Sequence, residues 1–492
     1  MSDELNGMAP TGIPGLDHVL TGGLTANRLY LVQGKPGVGK TTLALQFLME
    51  GVRRKEPGLY ITLSETKEEI DGVAKSHGWD LRDLAVLELS AIEEVLAESK
   101  ENTFFHPSEL ELNKTTQILL DEVERTKVRR VVLDSLSEFR LLAETALRYR
   151  RQMLRLKQYF AGKNVTVLLL DDCTGEASDL HLQSIAHGVI SLDRLPVYFG
   201  IERRQIKVEK LRGVKFREGA HDYTIERGGL QVYPRLVAAD HQRNFPEEPV
   251  SSGVEGFDQL MGGGLDRGTS TLFIGPAGCG KSTLAIQHAV SLAKRGEKSA
   301  VFIFDENRKT LSRRARAVGL GLEEQVAKEM IRIQQIDPAE LSPGEFTAIV
   351  QREVEKTGVS MVIIDSLNGY LNSMPDERFL NLQLHELLSY LSQQGIVSIL
   401  TLAQHGMIGN MQSPVDVTYL ADAVVLLRFF EAKGKIHKAV SVVKKRSGHH
   451  ESAIRELTMT DGKVAVGRPL DNYRGILTGV PSESTEREKT ER

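Results

Sequence analysis

The chain has 492 residues, 41% hydrophobic and 26% charged, with a formal net charge of −4. That balance is ordinary for a globular protein and carries no overall nucleic-acid or membrane signature. The length exceeds one core and suggests two to four domains at roughly 100–200 residues each, or about 250 for α/β folds. No apolar run reaches the ~18 residues of a membrane span. Met1 to Pro10 lacks the basic and apolar regions of a signal peptide, so a cytoplasmic protein with no membrane partner is expected. Cys173 and Cys279 are the two cysteines, too few for a disulfide framework or a cysteine metal site. The basic stretches Arg148-Tyr149-Arg150-Arg151 and Arg313-Arg314-Ala315-Arg316 fall in helical patterns and read as solvated or interface faces.

In chain order, the apolar run Leu29 to Val32 leads into Gly34-Lys35-Pro36-Gly37-Val38-Gly39-Lys40-Thr41-Thr42, and a helical pattern follows from Leu43. Strand, glycine-rich loop and helix form the context of a phosphate-binding loop. Glycines let successive N–H groups line one concavity, and the helix N-terminus adds positive potential where a polyphosphate sits. Gly34, Gly37, Val38, Gly39, Lys40, Thr41 and Thr42 are therefore candidate ATP-binding residues. Lys40 would reach the β/γ-phosphates and the Thr41 hydroxyl would ligate Mg²⁺.

Gly58 to Leu63 reads as a short strand ending in Ser64-Glu65, and Arg130 to Leu133 as a buried parallel strand ending in Asp134. Carboxylates at such strand ends emerge where parallel sheets bind ligands, so Asp134 fits a Mg²⁺-organising position. A helix over Thr145 to Phe160, a strand over Val165 to Leu170 ending in Asp171-Asp172, and a strand over Gln205 to Leu211 complete the unit. The polar strand end at Asp171-Asp172, and Gln404 in the second unit, could sense a γ-phosphate or could be merely solvated. Ala238 to Pro249 reads as a linker.

The pattern then repeats. Gly12 recurs at Gly253, Gly23 at Gly264 and Lys40 at Lys281, all at one interval. The second loop supplies Gly275, Gly278, Cys279, Gly280, Lys281, Ser282 and Thr283 as ATP-binding candidates, with Ser282 and Asp365 for Mg²⁺. Cys279 reads as a small, tolerated loop residue, the alternative being a thiol sensitive to oxidants. The acidic strand end is now Asp305-Glu306. Two tandem α/β domains are expected, 1–245 and 246–466, each a mainly parallel sheet with helices on both faces. An arm with a disordered tail is expected over 467–492.

Together the two loops, the Gly-x-x-Gly-x-Asp and Gly-Gly-Leu elements before them, the two strand-end aspartates, Lys210-Leu211-Arg212 and Lys444-Lys445-Arg446 resemble the KaiC family of RecA-like ATPases. The resemblance spans roughly residues 8 to 466 and implies a homohexameric double ring with ATP between subunits, read by a KaiB-like or other signalling partner. It implies that adjacent acids after the second strand act on the attacking water or hydroxyl. Here they are Asp305 and Glu306 in the second copy and Ser64-Glu65 in the first, where one carboxylate is lost. By the same resemblance, Lys210, Arg212, Lys444 and Arg446 reach a neighbour's γ-phosphate. The family's Ser-Thr phosphoacceptor pair matches Thr418 and Tyr419, a departure that leaves Thr418 as the candidate autokinase acceptor.

Two other readings stand beside a regulatory ATPase. A DNA-handling recombinase or helicase shares this core but should show a basic stripe or stacking aromatics, whereas this chain is slightly acidic with Trp79 its single tryptophan. A nucleotide-locked scaffold fits Ser64 but not Asp305-Glu306.

Overall fold

A computed structural model describes residues 7–88, 107–172, 179–195, 200–372, 377–404, 417–460, 463–478 and 481–483. Cys173, nearly all of the expected disordered tail and part of the arm lie outside these. The chain divides into two compact units, Met1–Arg235 and Leu236–Arg492.

In the first unit, a ribbon of β1 (Met8–Ala9) and β2 (Leu24–Thr25) precedes a nine-stranded sheet. Its parallel strands are β3 (Leu29–Gly34), β4 (Gly58–Thr62), β5 (Ala85–Glu88), β6 (Arg130–Asp134), β7 (Thr166–Asp171) and β8 (Gly188–Leu195). An antiparallel extension follows through β9 (Arg203–Leu211), β10 (Ala220–Glu226) and β11 (Gly229–Tyr233), and the order is β11-β10-β9-β8-β3-β7-β6-β4-β5.

Strand alternation assigns each residue to a face. Tyr30 and Val32 join the core on one side of the sheet, Leu29 and Leu31 the core on the other. Helices cover both faces, which is why the central strands read as continuous apolar runs.

The second unit repeats this plan with β12 (Ser270–Gly275), β13 (Ser299–Ile303), β14 (Ile331–Gln335), β15 (Met361–Asp365), β16 (Val397–Ala403), β17 (Ala423–Ala432), β18 (Lys435–Lys445), β19 (Arg455–Thr460) and β20 (Lys463–Pro469). Their order is β14-β13-β15-β16-β12-β17-β18-β19-β20, strand for strand that of the first sheet.

The stretch read as a linker packs within the second unit. Ala238 enters its core together with Leu236 just before the stretch, and the Arg243 backbone amide donates to the Gln393 carbonyl at 3.0 Å. Within 467–483, β21 (Tyr473–Arg474) pairs with β22 (Ser482–Glu483), and Ile476 packs on Phe430 and Ala439. Among the described residues no helix is long and apolar enough to cross a membrane.

Candidate active sites

Each loop leaves the C-terminal end of its sheet's central strand. Gly37 and Gly39 take φ of 80° and 98°, Gly278 and Gly280 take 79° and 109°, the left-handed region that glycine alone enters cheaply. A Cβ on Gly34 would meet the Leu192 carbonyl oxygen at 2.4 Å, and one on Gly275 the Leu427 oxygen at 2.2 Å. Lys40 and Lys281 open 14-residue helices. Thr42 and Thr283 are buried in the first turns of those helices, as is Val38 in its loop.

In the first domain, Lys40 Nζ donates to the carbonyls of Gly34 and Lys35 at 2.7 and 3.2 Å. The Thr41 hydroxyl donates to Asp134 Oδ2 at 3.0 Å, and the Tyr60 hydroxyl donates to the same oxygen. Burial pushes the Asp134 carboxyl up, opposed by those two hydroxyls and by Lys40.

Glu65 follows a turn closed by its own amide on the Thr62 hydroxyl at 2.9 Å. Its Oε2 is buried without a hydrogen-bond partner. Burial raises its pKa, and the charges of Asp134, Glu69 and Asp172 add to the rise. Ser64 is exposed.

In the second domain, Lys281 Nζ donates to the carbonyls of Gly275 and Pro276 at 2.9 and 2.8 Å, and burial lowers its pKa. The Ser282 hydroxyl donates to Asp365 Oδ1 at 2.9 Å, joined by the Thr401 hydroxyl. Asp305 accepts from Ser366, the residue next to Asp365. Glu306 is held by Arg314 at 2.6 and 3.1 Å. Burial still raises its pKa, with Arg314 the largest opposing influence. Cys279 is fully buried and its thiol pKa is raised by burial, so little thiolate exists for oxidants. The Gln404 backbone N–H donates to the Gly275 carbonyl at 3.0 Å.

The donor sets fit Mg²⁺. A hydroxyl and a carboxylate hydrogen-bonded at each loop are hard oxygen ligands, and Mg²⁺ bound with phosphates takes only one or two carboxylates. Among the described residues there is no cluster of three or more His, Cys, Asp or Glu of the kind that forms an all-protein cage.

Lys210, Arg212, Lys444 and Arg446 do not join the loop of their own domain. Lys210 pairs with Val189, three residues before Leu192, the residue that pairs with Gly34. Lys444 pairs with Val424, which is level with Leu272 rather than Gly275. At about 3.3 Å per residue this is roughly 10 Å down the sheet. A β-bulge adjoins each lysine. Lys210 donates to the Gln183 carbonyl and Arg212 to the Ser184 carbonyl at 2.8 Å. Lys444 donates to the carbonyls of Thr418 and Ala421 at 2.9 and 2.7 Å, and Arg446 to that of Tyr419 at 2.8 Å. Thr418 is half-buried and Tyr419 exposed.

Sequence reasoning missed Tyr60, Thr401, Ser366 and Arg314. Tyr60 and Thr401 sit inside apolar strands and carry no motif. Arg314 belongs to a run read as a solvated or interface face, but its side chain turns onto Glu306.

Two phosphate loops, each hydrogen-bonded to a strand-end aspartate on the same nine-stranded plan, define a tandem RecA-like ATPase. The family model for the KaiC ATPase matches residues 9–237 and again 250–471, and the chain belongs to that family. The circadian clock oscillator protein KaiC of Picosynechococcus sp. is 27% identical over 98% of this chain and 93% of its own. The KaiC proteins of Thermostichus vulcanus and Synechococcus elongatus are 27% and 26% identical, with the same coverage.

Proposed function

We propose that this ATPase forms a homohexameric double ring whose second domain carries the faster chemistry, and whose nucleotide state is read by a KaiB-like or other signalling partner. The backbone N–H groups of Gly37 to Thr42 and Gly278 to Thr283 would wrap the polyphosphate, with Lys40 and Lys281 on its β/γ oxygens. Thr41 with Asp134, and Ser282 with Asp365, would hold Mg²⁺, which when bound neutralises charge on the β- and γ-phosphates.

The observation that carries this reading is Asp305, fixed by Ser366 beside Asp365, where the first domain has exposed Ser64. A general base must be an ionised acceptor near the nucleophile. Asp305 and Glu306 supply two such acceptors, and Glu65 one. The first domain then turns over slowly and serves assembly.

The basic strand ends support action across subunits. With Lys210 and Lys444 roughly 10 Å below their own loops, and Arg212 and Arg446 farther still, these four act on a neighbour's γ-phosphate. An arginine placed so accelerates phosphoryl transfer by about 10³–10⁵-fold in related loops. Thr418 lies against Lys444, so a neighbour's ATP brought to Arg446 would also meet its hydroxyl, which makes Thr418 the autokinase acceptor.

The test is native mass with and without ATP·Mg²⁺, followed by subunit mixing. A hexamer with ATP is expected. Lys281→Ala and Arg446→Ala proteins, each inactive in the second domain, should regain about a quarter of its turnover when mixed, by random assortment in a closed ring. A stable monomer under both conditions, or no recovery on mixing, would remove the trans-acting roles.

A further inference from the structure

The lysine of the first phosphate loop is already engaged by a carboxylate. Lys40 Nζ lies 2.7 Å from Asp172 Oδ1, in addition to its bonds to the Gly34 and Lys35 carbonyls. An ammonium has three N–H donors, and all three are spent. The Lys40 side chain is 8% exposed and that of Asp172 33%, so the pair sits at the mouth of a buried site. Asp172 is the first residue beyond β7, and its Oδ2 accepts from the Ser137 hydroxyl at 3.3 Å. Ser137 in turn meets Ser135, the residue after Asp134. The carboxylate is therefore held from two sides.

Among the described residues the second domain lacks this device. Register places Leu169 beside Leu31 and Leu400 beside Leu272, so Ala403 stands where Asp172 stands. Asn368, the counterpart of Ser137, is turned onto the Ala403 backbone, donating to its carbonyl at 3.1 Å and accepting from its amide at 2.7 Å. Lys281 has two carbonyl partners and otherwise only the Cys279 sulfur at 3.9 Å, and among the described residues it pairs with no carboxylate. Its third donor meets only that sulfur, a weak acceptor that a phosphate oxygen readily replaces.

Charge sharpens the contrast. Asp134 and Asp172 gather near the Lys40 ammonium, and after burial the charges of those two aspartates and of Glu69 add to the raised pKa of Glu65.

We propose that Asp172 is an internal competitor for the phosphate-loop lysine: ATP must displace its carboxylate from Lys40, so the first domain binds ATP more weakly than the second. This rests on the reading of the first loop as an ATP site. Displacement is feasible because Asp172 ends a strand at the site's mouth and can turn to water.

The experiment measures ATP·Mg²⁺ affinity calorimetrically on the full chain, with Lys281→Ala reporting the first loop and Lys40→Ala the second. In the Lys281→Ala chain, adding Asp172→Asn keeps the side chain's size and hydrogen bonding but removes its charge. Affinity at the first loop should rise about tenfold, the scale of one charge-assisted contact. In the Lys40→Ala chain, adding Ala403→Asp should weaken the second loop by a similar factor. First-loop affinity that is unchanged or lower with Asp172→Asn, or a second loop indifferent to Ala403→Asp, overturns the proposal. Should the first loop bind no ATP with or without Asp172→Asn, the ATP-site reading falls with it. Binding that needs Lys40 but ignores Asp172 leaves that reading standing and removes the competitor alone.

Discussion

Glu306 accepts a forked pair of hydrogen bonds from Arg314 at 2.6 and 3.1 Å, while its counterpart Glu65 keeps one buried oxygen without a partner. Val73 stands where Arg314 stands, at the interval that separates the two loop lysines. Burial raises the pKa of both acids; at Glu306 the adjacent Arg314 cation opposes the rise, whereas at Glu65 the charges of Asp134, Glu69 and Asp172 add to it.

Removing that cation should shift the pH dependence of the second domain. Arg314 is the largest influence lowering the Glu306 pKa, so Arg314→Gln lets the pKa rise further and leaves the acid protonated to higher pH. Phosphate release at about pH 6 should fall several-fold more than at about pH 8, because only the ionised acid accepts a proton. An unshifted profile would assign the base to Asp305.

In the first domain, Glu65 is the one acid of the pair. With Lys281→Ala removing the second domain's turnover, Glu65→Gln should cut the residual phosphate release by about 10²-fold or more. Since the Glu65 pKa is raised, this residual activity should disappear on acidification at a higher pH than an ordinary glutamate would give. Residual release indifferent to Glu65→Gln would exclude it as the base.

Autophosphorylation is tested with labelled ATP. Label is expected on the wild type and lost in Thr418→Ala, with Tyr419→Phe retaining it. No label in the wild type, or label unchanged in Thr418→Ala, removes Thr418 as acceptor.

His288 predicts an acid-sensitive second domain. It is fully buried against Phe257 and Phe273, donates from Nδ1–H to the Leu284 carbonyl at 2.8 Å, and faces the charges of Asp258 and Arg295. Burial lowers its pKa to about 4. The unfolded chain therefore binds the proton first: the stability His288 preserves is full above its ordinary pKa near 6.5 and is lost as pH falls toward 4. His288→Phe, copying Phe47 at the equivalent place, should reduce the loss of unfolding free energy between about pH 7 and pH 5 by on the order of 2 kcal/mol. Equal losses in both proteins by urea unfolding would contradict this.

Much of the architecture is legible in the chain because its signals are local. Glycines at left-handed positions, the helix following each loop, and apolar strands ending in Asp134 and Asp365 need no tertiary information. The ligand-facing contacts are different. Tyr60 and Thr401 each hydrogen-bond the strand-end aspartate, but from different strands, so the repeat does not align them. Asp172 reads equally as a γ-phosphate sensor or a solvated strand end until β3 and β7 are paired and Lys40 comes within 2.7 Å. The distance of Lys210 and Lys444 from their own loops is likewise a property of antiparallel register, not of composition.

The division of labour between the domains is tested most directly by phosphate release from Lys40→Ala and Lys281→Ala full-length chains at saturating ATP·Mg²⁺. Lys281→Ala should lose most of the turnover, while Lys40→Ala should retain most of it per assembled ring and assemble with ATP only at higher protein concentration. Turnover that follows Lys40 and survives Lys281→Ala would contradict the account.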